Sequence, residues 1–145
     1  MYEVTAFNYT PPDFRSRIEE LEEYMLNQEQ VEIPVTHLQA EGMYCREITI
    51  PKGTIAIGHA HSEDFIEIVS KGKMLLYSPG KEPIEVKAPH TGIGKAGKRK
   101  IGYALEDTVW TTFHHTHETD IKKIEERIIV KSDTFKAHEL SEAKI

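Results

Sequence analysis

The chain has 145 residues, 39% of them hydrophobic and 29% charged, with 18 Lys and Arg against 24 Asp and Glu for a net charge of −6. That length suits one domain with a real core, and no apolar stretch approaches the ~20 residues that a membrane-spanning helix needs. The single Cys45 excludes an internal disulfide and a cysteine-built zinc cage, and the acidic balance argues against nucleic acid as a partner.

In chain order, the opening "MYEVTAFNYT" lacks the basic start and apolar run of a secretory signal, so a cytoplasmic protein is expected. Residues 12–28 place Phe14, Ile18, Leu21 and Met25 at helical spacing after a proline pair, which predicts one amphipathic helix. From Met43 to His117 short runs of Ile, Val, Thr and aromatics are divided by "PKG", "SKGK", "SPGKEP", "KAGK" and "LEDT", a spacing that predicts an all-β sandwich or barrel. After Asp120 helical spacing returns through Ile121, Ile124 and Ile128, and the polar "SDTFKAHELSEAKI" reads as a loose tail. The expected organisation is an arm and helix over 1–42, a β domain over 43–118, and a helix and tail over 119–145.

Chemistry concentrates in a few places. In "GHAH" the side chains of His59 and His61 share a strand face, because side chains alternate with period two; they are either metal ligands or polar residues bonded to backbone and solvent. "RKIGYAL" and "TVWTTFH" read as a hairpin centred on Asp107. That register sets Lys100 opposite His114, and a slip of one residue would present His115 instead. Tyr103 and Trp110 read as pocket wall or core, and Cys45 as a small core residue. The basic "GKAGKRK" (94–100) reads as a solvated turn, within which Lys100 could serve an anionic substrate if it points inward.

The stretch from Gly53 through "HAH" to Gly72 resembles the first motif of the cupin superfamily, with the glycine six positions before the first histidine. The family's glutamate falls at Phe65 or Ile66 here, so Glu67, on the same strand face as Phe65, is its nearest substitute. In the second motif "KAGKRK" keeps Gly97 but has Lys95 and Lys100 where the family has proline and histidine. Residues 40–130, with "APH", "GYA" and "EDTVWTT", also look like small cupin-like proteins of bacteriophage type, a resemblance that brings no known reaction. It implies an all-β, single jelly-roll barrel with flanking helices, and a pocket of His59, His61, Glu67 and His114 beside Phe65, Lys100, Tyr103 and Trp110. Imidazole and carboxylate ligands of that kind would suit Zn, Ni, Mn or Fe. The implied function is small-molecule or divalent-metal binding, the alternative a metal-dependent oxygenase or isomerase acting on a small organic substrate. Small cupins often pair through their sheets, so a homodimer is expected.

Overall fold

A computed structural model describes residues 14–78 and 81–143, in the order α1 (Phe14–Leu26), β1 (Val35–Ala40), β2 (Met43–Ile50), β3 (Ile55–Ile57), β4 (Ala60–His61), β5 (Phe65–Lys71), β6 (Lys73–Tyr77), β7 (Ile84–Lys87), β8 (His90–Gly94), β9 (Ile101–Ala104), β10 (Thr108–His115), α2 (Ile121–Ile128), β11 (Ile129–Val130) and α3 (Asp133–Ala143). The expected N-terminal arm lies outside the described residues.

The strands form a five-stranded sheet, β1-β2-β10-β5-β8, a four-stranded sheet, β3-β9-β6-β7, and a short β11-β4 pair; every pairing is antiparallel. The chain passes from one sheet to the other between β2 and β3, β5 and β6, β7 and β8, β8 and β9, and β9 and β10. The two large sheets share one core, in which Ile50 and Val69 of the first meet Met74, Leu76, Val86 and Ala104 of the second, with Trp110 packed against them. Among the described residues the sheets face each other without merging into one closed barrel. Gly72 makes the β5–β6 passage at φ +92°, where a side chain would meet the Asp107 carbonyl and Thr108.

The expected hairpin around Asp107 is corrected by this topology. β9 pairs with β3 and β6, whereas β10 pairs with β2 and β5, so Lys100 does not stand opposite His114. The amides of Leu105 and Glu106 and the Thr108 hydroxyl all donate to the Lys73 carbonyl, and these bonds hold the segment as a crossing between sheets.

The helices close the structure. α1 lays Ile18 and Leu21 on Tyr77 and Ile101, on the outer face of the four-stranded sheet. α2 is capped by Asp120, whose carboxylate accepts from the Lys122 and Lys123 amides, and it seats Ile124 and Ile128 against Tyr44. Three differences from the sequence reading stand out. β1 joins the sheet before residue 43, the helix expected after Asp120 ends at Ile128 and is followed at once by β11, which pairs with β4, and the expected loose tail contains α3. α3 starts where the Phe135 amide donates to Ser132 Oγ, and it is tied to the rest of the fold by the Ser132 hydroxyl on Glu22 and by Phe135 against His59.

Candidate functional site

Along β10 alternation turns Trp110, Thr112 and His114 inward, and His114 ends up buried while His115 is exposed. β4 brings His61 onto it: the two rings stack at 5.6 Å between centroids with planes inclined by 16°. Phe65 packs on both, 4.4 Å from His61 and 5.2 Å from His114. On the other side Tyr44 lies 6.0 Å from His114, and its hydroxyl is bonded to His37 Nδ1 (2.6 Å). The stack thus ties β1, β2, β10, β4 and β5 together at one end of the interior, under α2.

These imidazoles are held neutral. Burial first, then His61 and the Arg46 and Arg127 cations, push His114 down to about 4 from its ordinary 6.5. His61 is lowered by burial and then by Arg46 and His59. His59 is lowered by burial and Arg99, against the opposing pull of Glu22. Two polar atoms here, Arg46 Nε and His59 Nδ1, are buried with no hydrogen-bond partner among the described residues.

The residues singled out in the sequence separate in space. His61, His114 and Phe65 come together as described. His59 turns to α3 instead, its ring edge-on to Phe135 at 4.6 Å. Glu67 is buried and faces Lys100 Nζ at 3.4 Å. Tyr103 is not a pocket residue: it packs against the α1 cluster on the far side of the four-stranded sheet. Trp110 sits in the shared core.

This arrangement does not fit the metal set that the resemblance implies. His61 and His114 bring two imidazoles to one place, but His59 faces Phe135 and does not complete the set. His114 Nε2 is bonded to Thr112 Oγ1 (2.9 Å), and Glu67 is engaged by a lysine. Among the described residues no three His, Cys, Asp or Glu side chains are placed to hold a metal.

A cleft of about 640 Å³ lies elsewhere, between the turn before β9, the β4–β11 pair, the Ile18 region of α1 and the start of α3. It is lined by Lys81, Lys95, Lys98, Arg99, Lys100 and Lys131 against two carboxylates, Glu19 and Asp133, with Ile18, Ile93 and Val130 as an apolar part. Lys100 alone of the expected site residues lines it. The basic run 94–100 is therefore more than a solvated turn. Its turn does form, with the Lys98 amide on the Lys95 carbonyl and Gly97 at φ +77°, but Arg99 then runs inward to the buried Glu22 at 2.6 Å. Lys95 and Lys131 meet carboxylates only at the surface, Asp64 at 3.5 Å and Glu139 at 3.0 Å, and such exposed pairs contribute little. Sequence reasoning missed Lys81 and Lys131, which stand apart from the basic run, and Arg46, which looks like an ordinary strand residue.

No protein-family model and no curated protein matches the chain. Solved structures do. An RmlC-like cupin family protein with a double-stranded β-helix fold from Methanocaldococcus jannaschii is 17% identical, with a TM-score of 0.50 over 68% of this chain and 91% of that one. A conserved protein with a double-stranded β-helix domain from Klebsiella pneumoniae is 13% identical, with a TM-score of 0.51 over 65% and 85%. A cupin superfamily protein from Desulfitobacterium hafniense is 8% identical, with a TM-score of 0.51 over 64% and 85%. At these identities the likeness shows the fold, a double-stranded β-helix, and the chain has that fold. No helix among the described residues is long and apolar enough to cross a membrane.

Proposed function

We propose that this chain is a cupin-like small-molecule-binding protein whose ligand is a small organic anion held in the basic cleft. The observation that supports this reading is the placing of six of the chain's 18 Lys and Arg side chains around one 640 Å³ cleft in a protein of net charge −6. Such a volume suits a small organic molecule, and cations that line one concavity raise the local concentration of anions. Ile18, Ile93 and Val130 offer an apolar surface to the rest of the ligand. The imidazole stack has a structural role in this reading: it fastens five strands beneath α2. No metal-dependent step is assigned, because the described residues group no three donor side chains around one point.

Calorimetric titration with inorganic phosphate and with phenyl phosphate tests the proposal. Both should bind at one site, the phenyl ester more tightly because its ring covers the apolar part, and both more weakly as salt is raised. Lys98→Ala and Lys131→Ala should each weaken binding about tenfold or more, the loss of roughly one charge-assisted contact. Binding that is unchanged in both variants, or no binding of either probe, would overturn it.

A further inference from the structure

We infer that His115 and His117, with Met43, form a copper-binding site on the outer surface at the end of β10. The run "HHTH", residues 114–117, divides its histidines between two faces: His114 goes inward to the stack, whereas His115 and His117 are both exposed. The two exposed rings are already neighbours, with centroids 5.4 Å apart and planes inclined by 85°. Two imidazoles bound to one tetrahedral ion through bonds of about 2.0 Å have centroids roughly 5 Å apart, so an ion needs little movement of either ring. Met43 stands directly opposite His115 in the β2–β10 ladder and is 48% exposed. Opposed residues of antiparallel strands share a face, which sets its thioether beside the pair as a third donor.

The backbone beneath these side chains is held in place. Arg127 Nη2 donates to the His115 carbonyl at 2.9 Å, and its charge is paired with Glu63. The Thr116 amide donates to the Gly42 carbonyl at 3.2 Å, and the Thr116 hydroxyl accepts from the Glu118 amide. The His117 ring lies 3.3 Å from where a β-carbon on Gly42 would stand. Donors on a fixed backbone lose little freedom when an ion binds. Donor type then selects the ion. The adjacent Glu118 carboxylate accepts the Thr119 and Asp120 amides, so Mg and Ca lack the oxygen ligands they require. Among the described residues no further imidazole, thiol or carboxylate completes a zinc set here. Copper(II) stands highest among the divalent ions for imidazole, and thioether sulfur favours copper(I). The net charge of −6 adds to the attraction for any cation.

Titration of the full chain with copper(II) sulfate, followed by electron paramagnetic resonance, tests this in His115→Ala, His117→Ala and Met43→Leu, with His138→Ala as the control for a surface imidazole elsewhere. The parent chain should bind one copper(II) with imidazole nitrogen in its spectrum, and each of His115→Ala and His117→Ala should weaken that binding about tenfold or more. After reduction with ascorbate, Met43→Leu should lose copper(I) to a competing chelator sooner than the parent does, while its copper(II) binding stays. All three side chains are exposed, so the variants should keep the far-UV circular dichroism of the parent; if one fails to fold, the other histidine variant decides alone. Copper(II) binding that the folded histidine variants retain, or that His138→Ala weakens as much, overturns the site. Unchanged copper(I) retention in Met43→Leu overturns the part given to Met43.

Discussion

His61 and His114 lie side by side, ring centroids 5.6 Å apart and planes inclined by 16°, one on the short β4 and the other on the central β10. Stacked neutral rings tolerate burial. A proton on either would add a cation beside Arg46, which already lowers both. The folded chain therefore binds protons at these residues less readily than the unfolded chain does.

Stability should accordingly fall as the pH drops. A histidine near 6.5 unfolded and about 4 folded contributes its full stabilisation above pH 6.5, and loses it progressively as the pH falls towards 4. For His114 the loss between pH 7 and pH 5 should be about 2 kcal/mol, and the lowering of His59 and His61 adds in the same direction. Urea unfolding followed by Trp110 fluorescence at several pH values measures it. His114→Gln should flatten the slope in that window; an unchanged slope would show that His114 does not carry the effect.

Divalent ions should find no stoichiometric site at the stack. Titration with Zn, Ni and Mn should give no one-to-one binding that His61→Ala and His114→Ala both abolish. If both substitutions do remove such a site, the rings turn to meet an ion and the structural reading of the stack fails.

Gly94 lies opposite Phe65, whose ring fills the space that a β-carbon would need. Gly94→Ala should push that ring into His61 and His114 and destabilise the fold by about 1–3 kcal/mol. Gly58→Ala, where no heavy atom lies within 4 Å of the added carbon, is the near-neutral control. Equal melting temperatures for the two variants would contradict the packing described.

Glu22 is 5% exposed and accepts from Arg99 and from Ser132, so it binds α1 to the β9 approach and to the cap of α3. Burial works against its charge, but the bonds from Arg99 and Ser132 outweigh it and hold its carboxyl below the usual range. Glu22→Ala strands a largely buried guanidinium and should cost roughly 3 kcal/mol or more, with faster amide exchange in α3. The double variant Glu22→Leu with Arg99→Leu should recover much of that loss. A double variant no more stable than the single would mean that packing, not unpaired charge, sets the cost.

Local rules left clear marks in this sequence. The apolar spacing of Ile18, Leu21 and Met25 gave away α1, Asp120 marked the start of α2, and the closely spaced turn signals announced strands from Met43 onward, because helix and strand periods and cap chemistry act over a few residues. β1 escaped because all six of its residues are exposed, so it has no buried and exposed alternation to show. α3 escaped because it has no apolar stripe; Phe135 and Ser132 hold it by contacts to His59, just before β4, and to Glu22 of α1.

The inward face of His114 was legible, but the hairpin that predicted it does not exist. Alternation along β10 alone fixes which way a side chain points, whereas the choice of partner strand depends on crossings between sheets that no local pattern records. The same limit separates the histidines from the cleft. An x-spaced pair announces a shared face, yet whether two lone pairs converge depends on ring planes set by Phe65, Tyr44 and Phe135, which come from three other elements. Lys98 and Lys131 become one basic surface only because the β4–β11 pair brings the start of α3 beside the turn before β9. By itself the sequence determined α1, α2, the strand-rich zone from Met43 onward and the inward face of His114; tertiary packing decided which charged side chains share a cavity, because that depends on contacts between residues far apart along the chain.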